Sequence, residues 1–409
     1  MPRAACSATA PGSRPMGART IVTMMKDEAP FLLHWIAHHR LIGFDRIVVF
    51  TNDCSDGSDA MLDRLAAMGE VIHHPNPVPR GGKPQPLALR RADKLAEVRE
   101  SDWIITLDTD EYLNIKPGDG TLDALFATAP DADGFAITWR MMGSNGLRDW
   151  TDTPVTEAYT RGAPDLFRKG WGVKTLFRPF DDMKLGIHRP TLKGKDKSAL
   201  LARSWVNGSA KPMTQAFKQD MWRSSLATLG YAHAEIAHYA TQSQEAYLRR
   251  AARGNVNAKP DKYNATYYAI FDRNETDRTG LLRHAEATRA RVAGYLADPQ
   301  LHDLADRALH WHEAARAELR AAPDYPARMD ALHDASRIPF DALDDILFTQ
   351  PLAPAGKQMV ARMRAQGIPD RQIARAVAQA VQRIEAQRDA ADAAELRTMG
   401  VTPDHGNWG

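Results

Sequence analysis

Trp103-Ile104-Ile105-Thr106-Leu107-Asp108-Thr109-Asp110-Glu111 runs from the most apolar strand-like stretch of the chain directly into three carboxylates. A short apolar run rich in β-branched residues reads as a strand buried on both faces, and whatever follows it is delivered to the carboxyl edge of its sheet. Left alone, the cluster repels itself. A divalent cation among the carboxylates relieves the repulsion, and hard oxygen ligands suit Mg²⁺ or Mn²⁺. Such an ion neutralises a diphosphate leaving group as charge builds up on it. The pattern D-x-D is short and describes a solvated acidic turn equally well. Its place in a repeating array of strands and helices gives it weight.

That array begins with Thr20-Ile21-Val22-Thr23-Met24, followed by apolar residues at helical spacing through Phe31, Leu32, Trp35, Ile36 and His39. Arg46-Ile47-Val48-Val49-Phe50 precedes the turn-rich Thr51 to Ser58 and a helix carrying Met61, Leu62 and Leu65. Glu70 to His73 reads as a third strand, Pro75 to Pro86 as a loop, and Leu87 to Arg99 as a charged helix ahead of Trp103. This order predicts an α/β fold with a parallel, Rossmann-like sheet whose right-handed crossovers gather binding groups at the carboxyl ends of the strands. Gly134 to Thr138 is a further strand, and the pattern then weakens into mixed α+β as far as about Asn257. From Thr279 onward the chain reads as helical, with Leu301, Leu304, Ala308 and Trp311 in register.

Composition narrows the class. The 409 residues are 44% hydrophobic and 25% charged with a formal net charge of +2, which fits a globular protein and calls for no nucleic-acid partner. Two cysteines, Cys6 and Cys54, exclude a disulfide framework and fit a reducing, cytoplasmic setting. Residues 1–19, small and basic without an apolar core, read as a disordered leader, and no stretch approaches the ~18 apolar residues of a membrane helix. A lipid-linked acceptor is then met at the inner face of the membrane.

Three ordered motifs carry a resemblance: Thr23 to Pro30, Asn52 to Ser58, and Asp102-Trp103 with Asp108 to Leu113. They resemble the family-2-type glycosyltransferases of the GT-A fold, most closely a bacterial subgroup reading K-N-E-x-x-x-L-x-E-W, N-x-S-x-D-G-[ST] and D-x-D-E-[FY]. Trp139 to Gly146 is similar to that subgroup's W-x-x-F-G-S-x-G, and His238-Tyr239 with Ser243 to its H-Y-x-x-x-S. Asp27 and His34 depart from the subgroup's Asn and Glu. The resemblance implies a catalytic domain over residues 20–278, a helical extension over 279–409, and transfer of a sugar from a nucleoside-diphosphate donor, a UDP-sugar foremost, to a glycan or glycolipid hydroxyl with inversion.

It also implies roles. Lys26, Asp27 and Glu28, with Asn52, Asp53 and Asp56, would bracket the nucleobase and ribose, although Asp56-Gly57 is equally a turn ahead of a helix cap. Lys83 either approaches a phosphate or is a solvated loop lysine. Asp108 serves ribose or metal, Asp110 is a direct metal ligand, Glu111 faces away, and His238 is either a further ligand or a packing residue. Inverting transfer needs a general base; the candidates are Glu235, Asp165 and Asp149, with His188 behind them. Trp139 is either an acceptor platform or core, and Trp171, Trp205 and Trp222 share that ambiguity.

The C-terminal segment places Ile373, Val377, Val381 and Ile384 on one helical face, with Arg371, Arg375, Arg383 and Arg388 among its polar positions. It suits docking on its own domain, pairing with a second copy, or contact with an anionic membrane. Two other functional classes compete. A sugar nucleotidyltransferase would carry a glycine-rich loop after its first strand, and Met24 to Pro30 has no glycine. A non-catalytic nucleotide- or carbohydrate-binding protein would keep the scaffold without turnover.

Overall fold

β-Branched runs with both faces covered can satisfy their backbone groups only in a ladder, and the expected runs form strands, the third of them two residues later than expected, at Ile72–Pro75. A computed structural model describes residues 17–254, 262–350 and 352–403. Its first half alternates β1 (Arg19–Met25), α1 (Ala29–Leu41), β2 (Arg46–Thr51), α2 (Ser58–Ala67), β3 (Ile72–Pro75), α3 (Pro84–Ala92), α4 (Ala96–Arg99) and β4 (Trp103–Thr106). The helix expected over Leu87 to Arg99 is therefore two. Residues 1–16 of the expected leader lie outside the described residues. By Gly17 the chain is already anchored, its amide donating to Asp102 at 2.5 Å.

β1 pairs in parallel with β2 on one side and β4 on the other, and β2 pairs with β3. The order β3-β2-β1-β4 reverses direction at β1, so the crevice beyond the carboxyl ends of β1 and β4 is a topological switch point. Beyond β4 the sheet turns mixed. The strand Val173–Phe177 runs antiparallel between β4 and β6 (Gly134–Met141), and Ala234–His238 lies between β6 and β5 (Glu111–Ile115). The result is an α/β sheet followed by helices, the class that the resemblance implies.

The helices after residue 279 share the main core. Leu281, Tyr295, Leu301 and Ala308 join Leu32, Trp35 and Ile36 of α1 in one hydrophobic cluster, and full burial of a side chain such as Leu301 contributes about 2 kcal/mol. Polar ties reinforce the contact. Arg64 Nε donates to Asp298 at 2.8 Å, and His312 Nε2 reaches Asp56 at 2.8 Å. In the helix Asp370–Thr398 the expected apolar face divides, with Ile373 buried while Val381 and Ile384 are exposed. Arg371 and Arg375 are ion-paired to Asp345. Among the described residues no helix is long and apolar enough to cross a membrane.

Candidate active site

The loop after β1 is built by backbone geometry and ion pairing. Asp27 takes a left-handed φ of 51°, and its carboxylate accepts from the Ser55 amide at 2.6 Å, which ties the first loop to the second. Arg253, at the end of the helix Gln244–Arg253, donates to the carbonyls of Lys26 (2.7 Å) and Asp27 (3.1 Å) and to Glu28 Oε1 (2.6 Å). In the second loop Asn52 is buried, and its Oδ1 has no hydrogen-bond partner among the described residues. Asp53 is exposed with a φ of 50°. Lys83 is exposed at the start of α3.

Asp56 belongs to the scaffold rather than to an open contact surface. Oδ1 accepts from the Ser58 amide and hydroxyl (2.9 and 2.6 Å), and Oδ2 from the Ala29 amide and His312 (3.0 and 2.8 Å). All four partners are buried with it, so the carboxylate holds the first turns of α1 and α2 against the later helix. Burial would raise its pKa, and the hydrogen bonds from His312, Ser58 and Ala29 outweigh that and lower it.

Within the acidic motif two of the carboxylates share one cation and the third takes others. Lys174 is wholly buried, and its ammonium donates to Asp108 Oδ2 and Glu111 Oε2, each at 3.1 Å. Gln85 donates to the other Asp108 oxygen at 3.1 Å. Glu111, expected to face away toward a structural partner, finds it in Lys174 and the Asp108 amide; burial pushes its pKa up to about 7 against the pull of Lys174. Asp110 turns to the opposite neighbours, 3.0 Å from Arg250 and 3.5 Å from His238 Nε2. Burial opposes its ionised form, but Arg250, His238 and Lys262 together hold its pKa well below the usual carboxylate range.

The antiparallel pairing that sets His238 opposite Glu111 explains why a residue so late in the chain reaches the motif. Two adjacent octahedral ligands at ~2.1 Å lie about 3 Å apart, so Asp110 Oδ2 and His238 Nε2 fit one small cation once Arg250 turns aside. Among the described residues no three His, Cys, Asp or Glu side chains converge for a metal. Among the described residues Asp110 and His238 are two donors that meet at this edge, and phosphates and water would have to supply the rest of an octahedral shell.

Two base candidates are held in ion pairs. Glu235 and His238 are three apart on one strand and point to opposite faces. Glu235 is buried against Asn114 (3.0 Å), Lys116 (3.2 Å) and Arg140 (3.3 Å). Asp165 joins the same network through Arg140 and Arg278, both at 2.8 Å. For each, burial raises the pKa and the neighbouring cations more than offset it. Asp149 is exposed beside Trp150, whose ring lines a small pocket with Asp27, Glu28, Gln242, Arg249 and Arg250. His188 is pushed down to about 3 by burial, first, and then by Lys174, so it is a weak base.

Lys174, Arg250 and Arg253 belong to none of the sequence motifs. Lys174 had a signal, a lone cation in the apolar run Val173–Phe177. Arg250 and Arg253 are three apart in a helix capped by Ser243, and that spacing alone puts them on one face.

A model of glycosyltransferase family 92 matches residues 21–245, just over half of the chain. A glycosyltransferase family 92 protein of Ricinus communis is 26% identical over 146 residues, 34% of this chain and 25% of that protein. One from Oryza sativa subsp. japonica is 28% identical over 145 residues, 34% of this chain and 24% of its own length. The match thus spans about a quarter of the length of these curated relatives. Among solved structures, S. aureus TarS 1-349 is 15% identical with a TM-score of 0.25, covering 80% of this chain and 90% of that one. The same fragment in complex with UDP is 16% identical with a TM-score of 0.27, covering 78% and 90%.

Proposed function

The chain belongs to glycosyltransferase family 92, and from that premise we propose that it moves a sugar from a nucleoside-diphosphate donor to a hydroxyl of a glycan or glycolipid acceptor, with inversion. The observation that carries this reading is the meeting of Asp110 and His238, 3.5 Å apart, at the carboxyl edge beside the β1/β4 switch point. The loops at Lys26 to Glu28 and Asn52 to Asp53 face the nucleoside, where the unpartnered Asn52 Oδ1 accepts from a base or ribose donor. Arg250 turns from Asp110 to the diphosphate.

Asp110 and His238 would hold Mg²⁺ or Mn²⁺, which when bound supplies Lewis-acid neutralisation of the departing diphosphate. Lys174 keeps Asp108 and Glu111 ionically balanced, so the edge stays ordered before ligand arrives. Of the three base candidates among the carboxylates, Asp149 is the exposed one, and it would take the acceptor proton. Residues 20–278 are the catalytic unit and the helices from 279 brace it. We place the protein in the cytoplasm at the membrane's inner face, with self-association through the C-terminal helices.

Asp110→Ala tests the reading in a donor-hydrolysis assay with UDP-, GDP-, CMP- and dTDP-sugars and Mn²⁺. Turnover of at least one donor by the parent chain, with at least a hundredfold loss in the variant, is expected; full activity in the variant or in excess chelator rejects it. The Arg250 to Asp110 ion pair favours one second reading, a nucleotide-binding protein without turnover. That reading predicts nucleotide binding with no donor hydrolysis.

A further inference from the structure

Four rings form a row that starts at the acidic edge and ends in solvent. His238, beside Asp110, packs on Trp139 with ring centres 4.7 Å apart. Trp139 meets His188 at 5.3 Å and Trp222 at 6.3 Å. His188 lies flat against Trp222, 4.5 Å away at 25°. Trp222 is 41% exposed, a large apolar ring left in water where burial would be favourable.

The row is held from several sides. The Val173 amide donates to the Trp222 carbonyl at 3.1 Å, and the Trp139 amide to the Gly172 carbonyl at 2.7 Å. A Cβ at Gly172 would stand 2.3 Å from the Trp139 ring, so only glycine lets that ring lie where it does. His188 Nδ1 is fixed on the Val173 carbonyl at 3.1 Å. Trp139 Nε1 is buried without a hydrogen-bond partner among the described residues.

Sheet order gives the row its meaning. Asp108 to Asp110 follow β4. The loops of β1 and β2 lie to one side of that strand, and Gly172-Val173, Trp139 of β6 and His238 lie to the other. A donor whose nucleoside occupies the β1/β2 side and whose diphosphate reaches Asp110 presents its sugar toward the ring side, where an attacking hydroxyl has to arrive. A rigid aromatic ring offers the apolar C–H face of a pyranose contact area at low entropic cost.

We infer that this row is the acceptor subsite, with Trp222, backed by His188 and Trp139, stacking on a pyranose ring of the acceptor glycan. The inference rests on the transferase reading above. Its test is saturation-transfer difference NMR on the full chain with Mn²⁺ and UDP, GDP, CDP or dTDP, adding methyl α- and β-pyranosides of glucose, galactose, mannose and N-acetylglucosamine. At least one pyranoside should receive saturation mainly on one ring face. Its affinity should fall about tenfold in Trp222→Ala and stay within about threefold in Trp222→Phe, the range of a stacking contact. Nucleotide binding without any pyranoside signal, or a pyranoside signal unmoved by Trp222→Ala, overturns the acceptor subsite alone. Failure of every nucleotide to bind overturns the donor reading and this inference with it.

Discussion

Asp56→Asn is a nearly isosteric change that separates a scaffold carboxylate from a ligand contact. The variant keeps Oδ1 for the Ser58 amide and hydroxyl, but turns Oδ2, the acceptor for Ala29 and His312, into a donor. His312 can change tautomer and accept. The Ala29 amide is an unpaired first-turn donor of α1 and has no such recourse. One buried unsatisfied amide costs about 1–3 kcal/mol, and loss of the negative charge near the first turns of α1 and α2 adds about 1 kcal/mol. The expected loss is about 3 kcal/mol, or a Tm lower by roughly 3–4 °C for a chain of this size, taking ~2.1 cal/mol/K per residue. The pKa of Asp56 is lowered by folding, so its contribution is present above the unfolded value and lost as pH falls through the folded one. The gap between variant and parent should therefore be widest at neutral pH and narrow below about pH 4. Urea denaturation followed by circular dichroism at pH 7 and pH 3.5 measures it, and nucleotide affinity at 15 °C should change less than about threefold. A variant as stable as the parent at pH 7, or one that loses nucleotide affinity while staying folded, would show that Asp56 is not a scaffold carboxylate.

Lys174→Met removes the cation that two carboxylates share; breaking such a buried pair costs about 3–5 kcal/mol, and a variant with unchanged thermal unfolding would show that the ion pairs do not stabilise the edge. Burial pushes His39 down to about 3 and holds His38 well below its ordinary value, so both are neutral in the fold. Their contribution is present above about pH 6.5 and lost as pH falls, at about 1.4 kcal/mol per pH unit for each. Stability at pH 5 should accordingly be lower than at pH 7, with a shallower slope in His39→Gln. Arg253→Ala releases the carbonyls of Lys26 and Asp27 together with Glu28, and nucleotide affinity by calorimetry should fall about fivefold to tenfold with little change in Tm. Glu235→Gln should keep donor transfer within about threefold, because a lost general base costs about a hundredfold or more.

The parallel half of the sheet was legible because its strands are uninterrupted apolar runs separated by amphipathic helices, as in Arg46 to Leu65. The mixed half was not, since its strands carry charges that pair inside the fold. Lys174, Glu111 and Glu235 each break the apolar pattern of a strand and are neutralised by partners distant in sequence. Asp110 and His238 both stand in motifs that the resemblance covers, while the register that joins them depends on a strand pairing across more than a hundred residues. Asp56 shows the opposite limit. Its place in Asn52-Asp53-Cys54-Ser55-Asp56-Gly57-Ser58 marks either a turn or a contact, and only the arrival of His312 from the later helices shows which atoms it serves.

Isothermal titration of nucleoside diphosphates, with and without Mn²⁺, into the parent chain, Asp110→Ala and His238→Ala tests the central claim most directly. One nucleotide should bind the parent at least tenfold more tightly with Mn²⁺, and both substitutions should abolish this gain while leaving the folded state intact. Equal affinity with and without Mn²⁺ in the parent, or a Mn²⁺ gain that survives both substitutions, would contradict it.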